Sequence, residues 1–521
     1  MSPYPVAQPR FSSSVLPQQT EDQRLRERQD HLQTLQTIVS EIQHLPEPEA
    51  VARTSLQRAP SDALRWFIGS DVLALFFGFA MAWLSAFAIN EFVLDRTFAS
   101  VSLFVEHVRF VQFTLIGTGV LLWLSHLGHY RVRMPFWFAT QQIVKAFGFA
   151  LMIDGFFQFA SRQEFSRIWL VVAWVFAGAF VILARLVVRY VLQEKDQWNL
   201  RTLLVGSGII TDETRAALQS EPGLGYKIVM QIENLPLLLS QTNNSWQALC
   251  DRFNADFVMV AMDGQALTNA GGALAQLTRE NIPFSVSPPL RHLPVLGMAP
   301  QYFFNHDVML MTPRANLEEP MARFTKRMLD ILGSFVGLVF LSPLMLSFAV
   351  LVKKDGGAVF YGDKRQGMNG RSFTCLKFRS MAADSDKILE SYLARNPDMK
   401  QEWNQFHKLQ DDPRVTKIGA FMRKWSLDEL PQLINVLLGD MSLVGPRPIN
   451  AQEMKKYEEV TYYNKVRPGL TGLWQVSGRS NISFARRTQM DSWYVRNWSL
   501  WHDLAILFKT VPAVIKKTGA V

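Results

Sequence analysis

Asp428 and Glu429 are neighbouring acids in the run Ser426-Leu427-Asp428-Glu429-Leu430-Pro431-Gln432, and Arg447 stands in the glycine- and proline-punctuated loop Gly439–Pro448 just behind them. A carboxylate beside an arginine loop can hold a metal-bound phosphate or attack a phosphorus itself. The pattern predicts a helix start here. Ser426 suits the N-cap, both acids lie where the positive dipole end favours them, and Leu430, Leu433, Val436 and Leu437 come next at helical spacing. On spacing alone, a charged first turn and then a turn loop is the simpler account. Further cations surround the pair. Arg365, Lys377 and Arg379 crowd the glycine-rich, strand-like stretch Lys353–Ser380, and Arg423 lies five residues before Asp428. They could form a solvated face, but a diphosphate needs cations around it, and arginine forks bind phosphate oxygens in pairs. Gly469–Arg479 carries Trp474, Gln475 and Arg479 among glycines, either a sugar and nucleotide contact surface or a turn-rich packing loop.

The elements that must position these residues extend over a chain of 521, too long for one core. Near-half apolar content with 19% charged residues fits a membrane part joined to soluble parts. A net charge of +9 suits anionic headgroups and phosphorylated substrates, while the lack of a basic stripe with interleaved aromatics argues against nucleic acid. Cys250 and Cys375 build neither a disulfide framework nor a zinc site, which is compatible with a reducing cytoplasm.

Residues 1–62 read as a polar cytoplasmic tail without a signal peptide, in which Leu25, Leu32 and Val39 at heptad spacing suggest a solvated or lipid-skimming helix. Residues 63–195 read as a four-helix transmembrane domain, with apolar stretches Val72–Ile89, Phe110–Ser125, Phe136–Phe159 and Ile168–Ala184. Lys145 and Asp154 interrupt the third, as a buried pair or as side chains reaching opposite surfaces. Arginines before the first span, between the second and third, and after the fourth put both ends in the cytoplasm.

Residues 196–320 read as a Rossmann-like α/β domain. Short apolar runs at Leu203–Val205, Ile228–Ile232, Phe257–Ala261 and Phe284–Val286 predict a parallel sheet. Its Gly206-Ser207-Gly208 turn begins like a dinucleotide fingerprint, but Thr211 stands at the third glycine's place, so a structural, dimerising or regulatory role is expected rather than NAD chemistry. Met298–Met311 reads as strands.

Residues 321–521 complete the chain. Ile331–Val352 holds 22 residues without a charge and could cross a bilayer, but cations flank both ends and Ser342-Pro343 interrupts the middle. A kinked re-entrant hairpin over 327–353 keeps both ends on one side. Trp493, Tyr494, Trp498 and Trp501 lead into Leu504–Ile515, an aromatic, basic amphipathic stretch suited to a membrane interface.

Taken together, Lys326-Arg327-x-x-Asp330, Lys377-Phe378-Arg379-Ser380-Met381, the Asp428-Glu429 stretch and Gly445-Pro446-Arg447-Pro448 resemble, in order, the bacterial sugar transferases that load a sugar phosphate onto a polyprenyl phosphate, the monotopic phosphoglycosyl transferases. The membrane and middle domains resemble the large members, and Arg467–Arg479 looks most like the undecaprenyl-phosphate galactose phosphotransferase branch. The resemblance implies a membrane α-helical bundle of four spans, a Rossmann-like α/β middle domain and a C-terminal α/β-type catalytic domain whose re-entrant helix bends at Ser342-Pro343. It also implies that Asp428 is the nucleophile and a Mg²⁺ ligand, with Glu429 orienting groups around the metal. Arg365, Lys377, Arg379, Arg423, Arg447 and Arg479 would then bind a UDP-sugar. The acceptor is undecaprenyl phosphate, and the setting is the bacterial inner membrane with the catalytic domain facing the cytoplasm. UDP-galactose is the expected donor and UDP-glucose the near alternative, for the first step of O-antigen, capsule or exopolysaccharide synthesis. A homodimer through the middle domain is expected. A membrane-bound nucleotide-sugar dehydratase or epimerase is disfavoured by the incomplete fingerprint and the lack of a Tyr-x-x-x-Lys pair, and a non-catalytic scaffold by the intact acids and arginines.

Overall fold

The computed structural model describes residues 61–92, 103–161, 167–241 and 245–515, apart from 291–292, 296–297, 299, 303–308, 313–316, 318, 355, 397–399, 401–402, 404–408, 410–411, 458 and 479–481. The heptad-spaced segment before Pro60 and Arg479 therefore lie outside the described residues. The chain divides into two compact units, residues 1–135 with 149–288, and residues 136–148 with 289–521.

In the first unit, helices α1 (Ser61–Phe92), α2 (Leu103–His126), α3 (Phe136–Ala160, shared between the units) and α4 (Arg167–Glu194) contain the four apolar stretches. All four are long and apolar enough to cross a membrane. α1 and α4 approach so closely that a Cβ on Gly78 would meet the Ala177 Cβ at 2.6 Å, the small-residue contact that lets apolar helices pack without polar side chains. Asp154 is buried, but not as half of a Lys145 pair. It accepts hydrogen bonds from Gln112 Nε2 (2.6 Å), Gln158 Nε2 (3.0 Å) and Trp174 Nε1 (2.8 Å), whereas Lys145 is exposed. Neutral donors on three helices satisfy the carboxylate where water is scarce.

Beyond α4, strands β1 (Leu200–Val205), β2 (Tyr226–Ile232), β3 (Phe257–Val260) and β4 (Phe284–Val286) form a parallel sheet in the order β2-β1-β3-β4. Leu203, Val205, Trp246, Val258 and Leu277 fill its core. Between β1 and β2 lies helix α5 (Ile209–Ser220). Gly206, at φ 137°, could not carry a Cβ, which would collide with the Ala261 carbonyl oxygen. Thr211 donates its hydroxyl to that same oxygen at 2.7 Å. Both fingerprint positions thus serve the packing of α5 on β3.

From Pro289 on, the second unit has an antiparallel pair, β5 (Pro300–Tyr302) and β6 (Met309–Met311), and then the 34-residue helix α6 (Pro320–Lys353) with Pro343 inside it. The N-terminal half of α6 is fixed by polar contacts. Lys326 Nζ reaches Asp503 (2.7 Å) and the Val444 carbonyl (2.9 Å), Arg327 donates to the Val436 and Leu437 carbonyls, and Asp330 accepts from the Leu443 amide and the Ser442 hydroxyl, both at 2.9 Å. Its C-terminal end is fixed by apolar contacts, Phe348 and Val352 packing with Phe378 and Met422. Phe340 and Leu346, near the proline, are exposed.

Two strands, β7 (Phe360–Gln366) and β8 (Ser372–Phe378), then form an antiparallel hairpin. After them come α7 (Lys417–Lys424), α8 (Gln432–Leu438), β9 (Ser442–Val444) paired in parallel with β10 (Gly469–Thr471), α9 (Phe484–Arg496) and α10 (Leu500–Ile515). The core of this unit gathers Leu433, Val436, Met441, Val444, Val466, Tyr494 and Trp498.

Candidate active site

The Asp428–Glu429 segment is not the first turn of a helix. Ser426 takes the left-handed conformation, φ 56°, and its amide bonds the Arg423 carbonyl, so it ends α7 instead of capping a new helix. Leu427–Glu429 makes a single 3₁₀ turn. Helix α8 starts only after Pro431, whose missing N–H and fixed φ suit a first helical turn. The two acids therefore sit on a tight connector between helices, facing a cavity of about 1340 Å³.

Arg365, Lys377, Arg379, Arg423 and Arg447 all line this cavity with Asp428 and Glu429, so every expected catalytic and substrate-binding residue among the described ones is gathered there, while Ser342 and Pro343 are not. Lys377, on β8, holds Glu429 with an Nζ–Oε1 distance of 2.7 Å, and Arg447 stands 3.9 Å from the same oxygen. Arg365 on β7 is engaged by Asp363 (2.6 Å) and Glu453 (3.3 Å). Arg423 Nε bonds the Ser380 hydroxyl at 2.9 Å. Arg379 Nη2 bonds the Val352 carbonyl at the end of α6, and its guanidinium passes so close to Gly357 that a Cβ there would collide with it.

The acids differ in their electrostatics. Burial and the Glu429 charge raise the Asp428 pKa above the ordinary carboxylate value, with Lys377 and Arg423 opposing. Burial would raise Glu429 as well, but Lys377 and Arg447 outweigh it and hold Glu429 below its usual value. Among the described residues, Asp428 accepts no hydrogen bond from another side chain; its own backbone amide is the donor it has. Glu429 is anchored and Asp428 is not.

Sequence reasoning missed several wall residues. Arg487 lies over the Trp474 ring at 4.6 Å, with Arg447 5.9 Å from the same ring. Arg486-Arg487 is visible as a basic pair, but only the helix phase shows that Arg487 faces inward. Tyr457, also in the wall, donates to buried Asp491 at 2.6 Å, and burial pushes Asp491 up to about 7. Apolar residues also line the cavity, among them Leu443, Leu470, Leu507, Ala513 and Val514.

No group of three or more His, Cys, Asp or Glu side chains converges as a metal site among the described residues. Asp428 and Glu429 are the adjacent carboxylates on the catalytic connector. Such an all-oxygen pair fits Mg²⁺, which takes one or two carboxylates and fills its shell with water and substrate phosphate. Two crowded acids whose repulsion raises Asp428 also fit a nearby cation.

A cationic cavity with one unanchored carboxylate, on an α/β unit built around a long apolar helix, defines a membrane-associated group-transfer enzyme. Residues 321–517 match the bacterial sugar transferase family. Over 408 residues the chain is 40% identical to the UDP-galactose-lipid carrier transferase of Erwinia amylovora, covering 76% of this chain and 84% of that protein. Over 458 residues it is 36% identical to the undecaprenyl-phosphate galactose phosphotransferase of Salmonella typhimurium, covering 86% and 95%. A sugar transferase of Haemophilus influenzae described as uncharacterized is 40% identical over 433 residues, covering 80% and 90%. The chain belongs to the bacterial sugar transferase family.

Proposed function

We propose that this enzyme transfers galactose 1-phosphate from UDP-galactose to undecaprenyl phosphate, giving undecaprenyl diphosphate galactose and UMP, as the first step of a surface polysaccharide. The observation that carries the reading is the asymmetry of the acid pair: Lys377 fixes Glu429 at 2.7 Å, while Asp428 has no side-chain partner among the described residues and faces the cations of the cavity.

An Asp428 carboxylate oxygen attacks the β-phosphorus of the UDP-sugar. The new O–P bond forms as the P–O bond to UMP breaks, leaving the sugar phosphate on Asp428. An oxygen of undecaprenyl phosphate then attacks the same phosphorus and releases the carboxylate. Phosphoryl transfer depends on positioning and on neutralising the equatorial oxygens, and Arg379, Arg423 and Arg447 bring three guanidiniums to that task. Asp428 and Glu429 would hold Mg²⁺, which would neutralise diphosphate charge when bound. Trp474, between Arg447 and Arg487, offers a flat surface for the nucleoside or sugar. The wall formed by Leu507, Ala513 and Val514 suits the first isoprene units of the acceptor.

Both ends of α6 pack on the same unit while the residues around Pro343 are exposed, which supports a helix that enters the bilayer and returns, with Ser342-Pro343 at the bend. The catalytic unit would then face the cytoplasm, where nucleotide sugars are made, with α1–α4 as four spans of the inner membrane.

The test is UMP release by membrane-extracted protein with Mg²⁺ and undecaprenyl phosphate, offering UDP-galactose and UDP-glucose in parallel. Release from UDP-galactose, lowered at least about 10³-fold in Asp428→Asn, is expected. Preference for UDP-glucose would reassign the donor, and release persisting in Asp428→Asn would remove the covalent step.

A further inference from the structure

A second concentration of positive charge lies away from the transfer site, at the end of the bundle where α1 starts and where α2 and α4 finish. A hollow of about 20 Å³ is lined there by Tyr130, Arg131, Arg133, Arg185, Arg189 and Trp198, among others. Asp71 is fully buried beside it, and Arg185 neutralises it, with Nε 3.0 Å from Oδ1 and Nη2 2.6 Å from Oδ2; Tyr130 donates to Oδ2 at 2.7 Å. Arg185 Nη1 also lies 2.7 Å from His129 Nδ1. Arg133 is fixed through the carbonyl oxygens of Trp198 and Leu224 and lies over the Trp198 ring at 4.1 Å, with no carboxylate paired to it among the described residues. Arg189, one turn beyond Arg185, has a buried Nε with no hydrogen-bond partner among the described residues; Glu221 is the carboxylate whose charge acts on it. Arg131 is exposed at the mouth.

Four guanidiniums thus face two carboxylates around one small hollow. Like charges one helical turn apart, as at Arg185 and Arg189, destabilise a helix. Their convergence calls for an anion. The hollow admits one or two water-sized atoms, which excludes a base or sugar ring and leaves room for one or two oxygens of a phosphate group whose remainder lies outside it. Beside it, Trp66, Ile68, Val72, Leu186 and Val187 are exposed on α1 and α4, an apolar surface a free anion would not use.

We propose that this hollow binds the phosphate of an anionic phospholipid headgroup, with Arg131 and Arg189 as the ligands and the acyl chains against the outer faces of α1 and α4. Basic pockets between helices at a membrane surface favour such headgroups electrostatically. The site requires α1–α4 to lie in a bilayer but does not require the transfer chemistry proposed above.

The test uses the delipidated full-length protein in detergent, comparing thermal unfolding and lipid retention in native mass spectra. The probes are phosphatidylglycerol, phosphatidylcholine and inorganic phosphate at equal phosphate concentration. Phosphatidylglycerol is expected to raise the unfolding midpoint by about 3 °C or more and to be retained, with at least half the shift lost in Arg131→Gln and in Arg189→Gln. Arg131 is exposed, so its variant carries the test even where Arg189→Gln folds poorly. UMP release without added phosphatidylglycerol should be unchanged in both variants. Equal shifts from phosphatidylcholine, or undiminished shifts in the Arg131→Gln protein, would overturn the site. The same shift from inorganic phosphate would overturn the lipid assignment.

Discussion

Lys377 holds Glu429 at 2.7 Å and also opposes the rise in the Asp428 pKa, so one ammonium favours the ionised form of both acids. The proposed attack needs Asp428 ionised. Because burial and Glu429 raise its folded pKa, UMP release should fall on acidification at a higher pH than an ordinary aspartate would give. Lys377→Met removes an opposing cation and should move this acid limb to higher pH; Glu429→Gln removes a repelling charge and should move it lower. A pH profile of the first half-reaction reads both shifts, and a limb unmoved in both variants would mean another group titrates. The acids and cations themselves are legible in the sequence, because their chemistry belongs to single residues. Which acid is anchored is not, since Lys377 and Glu429 are 52 positions apart.

The elements were legible where periodicity is long and failed where one residue resets the backbone. Apolar runs mark β1–β4 and the helices of the bundle, but Ser426, whose side chain suits an N-cap, is a left-handed helix terminator. Pro431 moved the next helix start downstream. The α6–α10 anchor is equally illegible, since Lys326 and Asp503 lie 177 positions apart, yet their side chains are at most 9% exposed. Lys326→Met should cost about 3–5 kcal/mol by leaving Asp503 buried without its cation, measured by denaturant unfolding of the purified protein. Lys326→Met combined with Asp503→Leu should recover part of that loss. On α10, Leu507→Glu should leave single-turnover UMP release within about threefold of wild type, while slowing transfer to undecaprenyl phosphate about tenfold or more, because the charge lies in the proposed isoprene path. Equal slowing of both half-reactions would place Leu507 outside that path.

At the scale of the whole chain, composition separates a membrane part from soluble parts, patterning marks the α/β unit, and the motif resemblance implies the transferase; the long-range ion pairs stay hidden, as with Asp71 and Arg185, 114 positions apart. Every described residue lining the transfer cavity lies beyond position 360. A chain beginning at Pro289 should therefore retain UMP release within about tenfold in detergent, at lower thermal stability, since the bond from Trp501 Nε1 to the Trp137 carbonyl goes with the removed part. Loss of release from a folded, monodisperse truncation would assign the removed residues, the first unit or the 136–148 segment of the second, a part in the reaction. Lys326, Arg327 and Asp330 reach across to β9 and α8, and most of their bonds end on main-chain atoms, the carbonyls of Val444, Val436 and Leu437 and the amide of Leu443. A grip on backbone is indifferent to the side chains it passes. Selection can therefore exchange residues around the catalytic loop to suit new sugars without loosening the helix that carries them, so donor specificity can drift among descendants while their membrane anchorage stays the same.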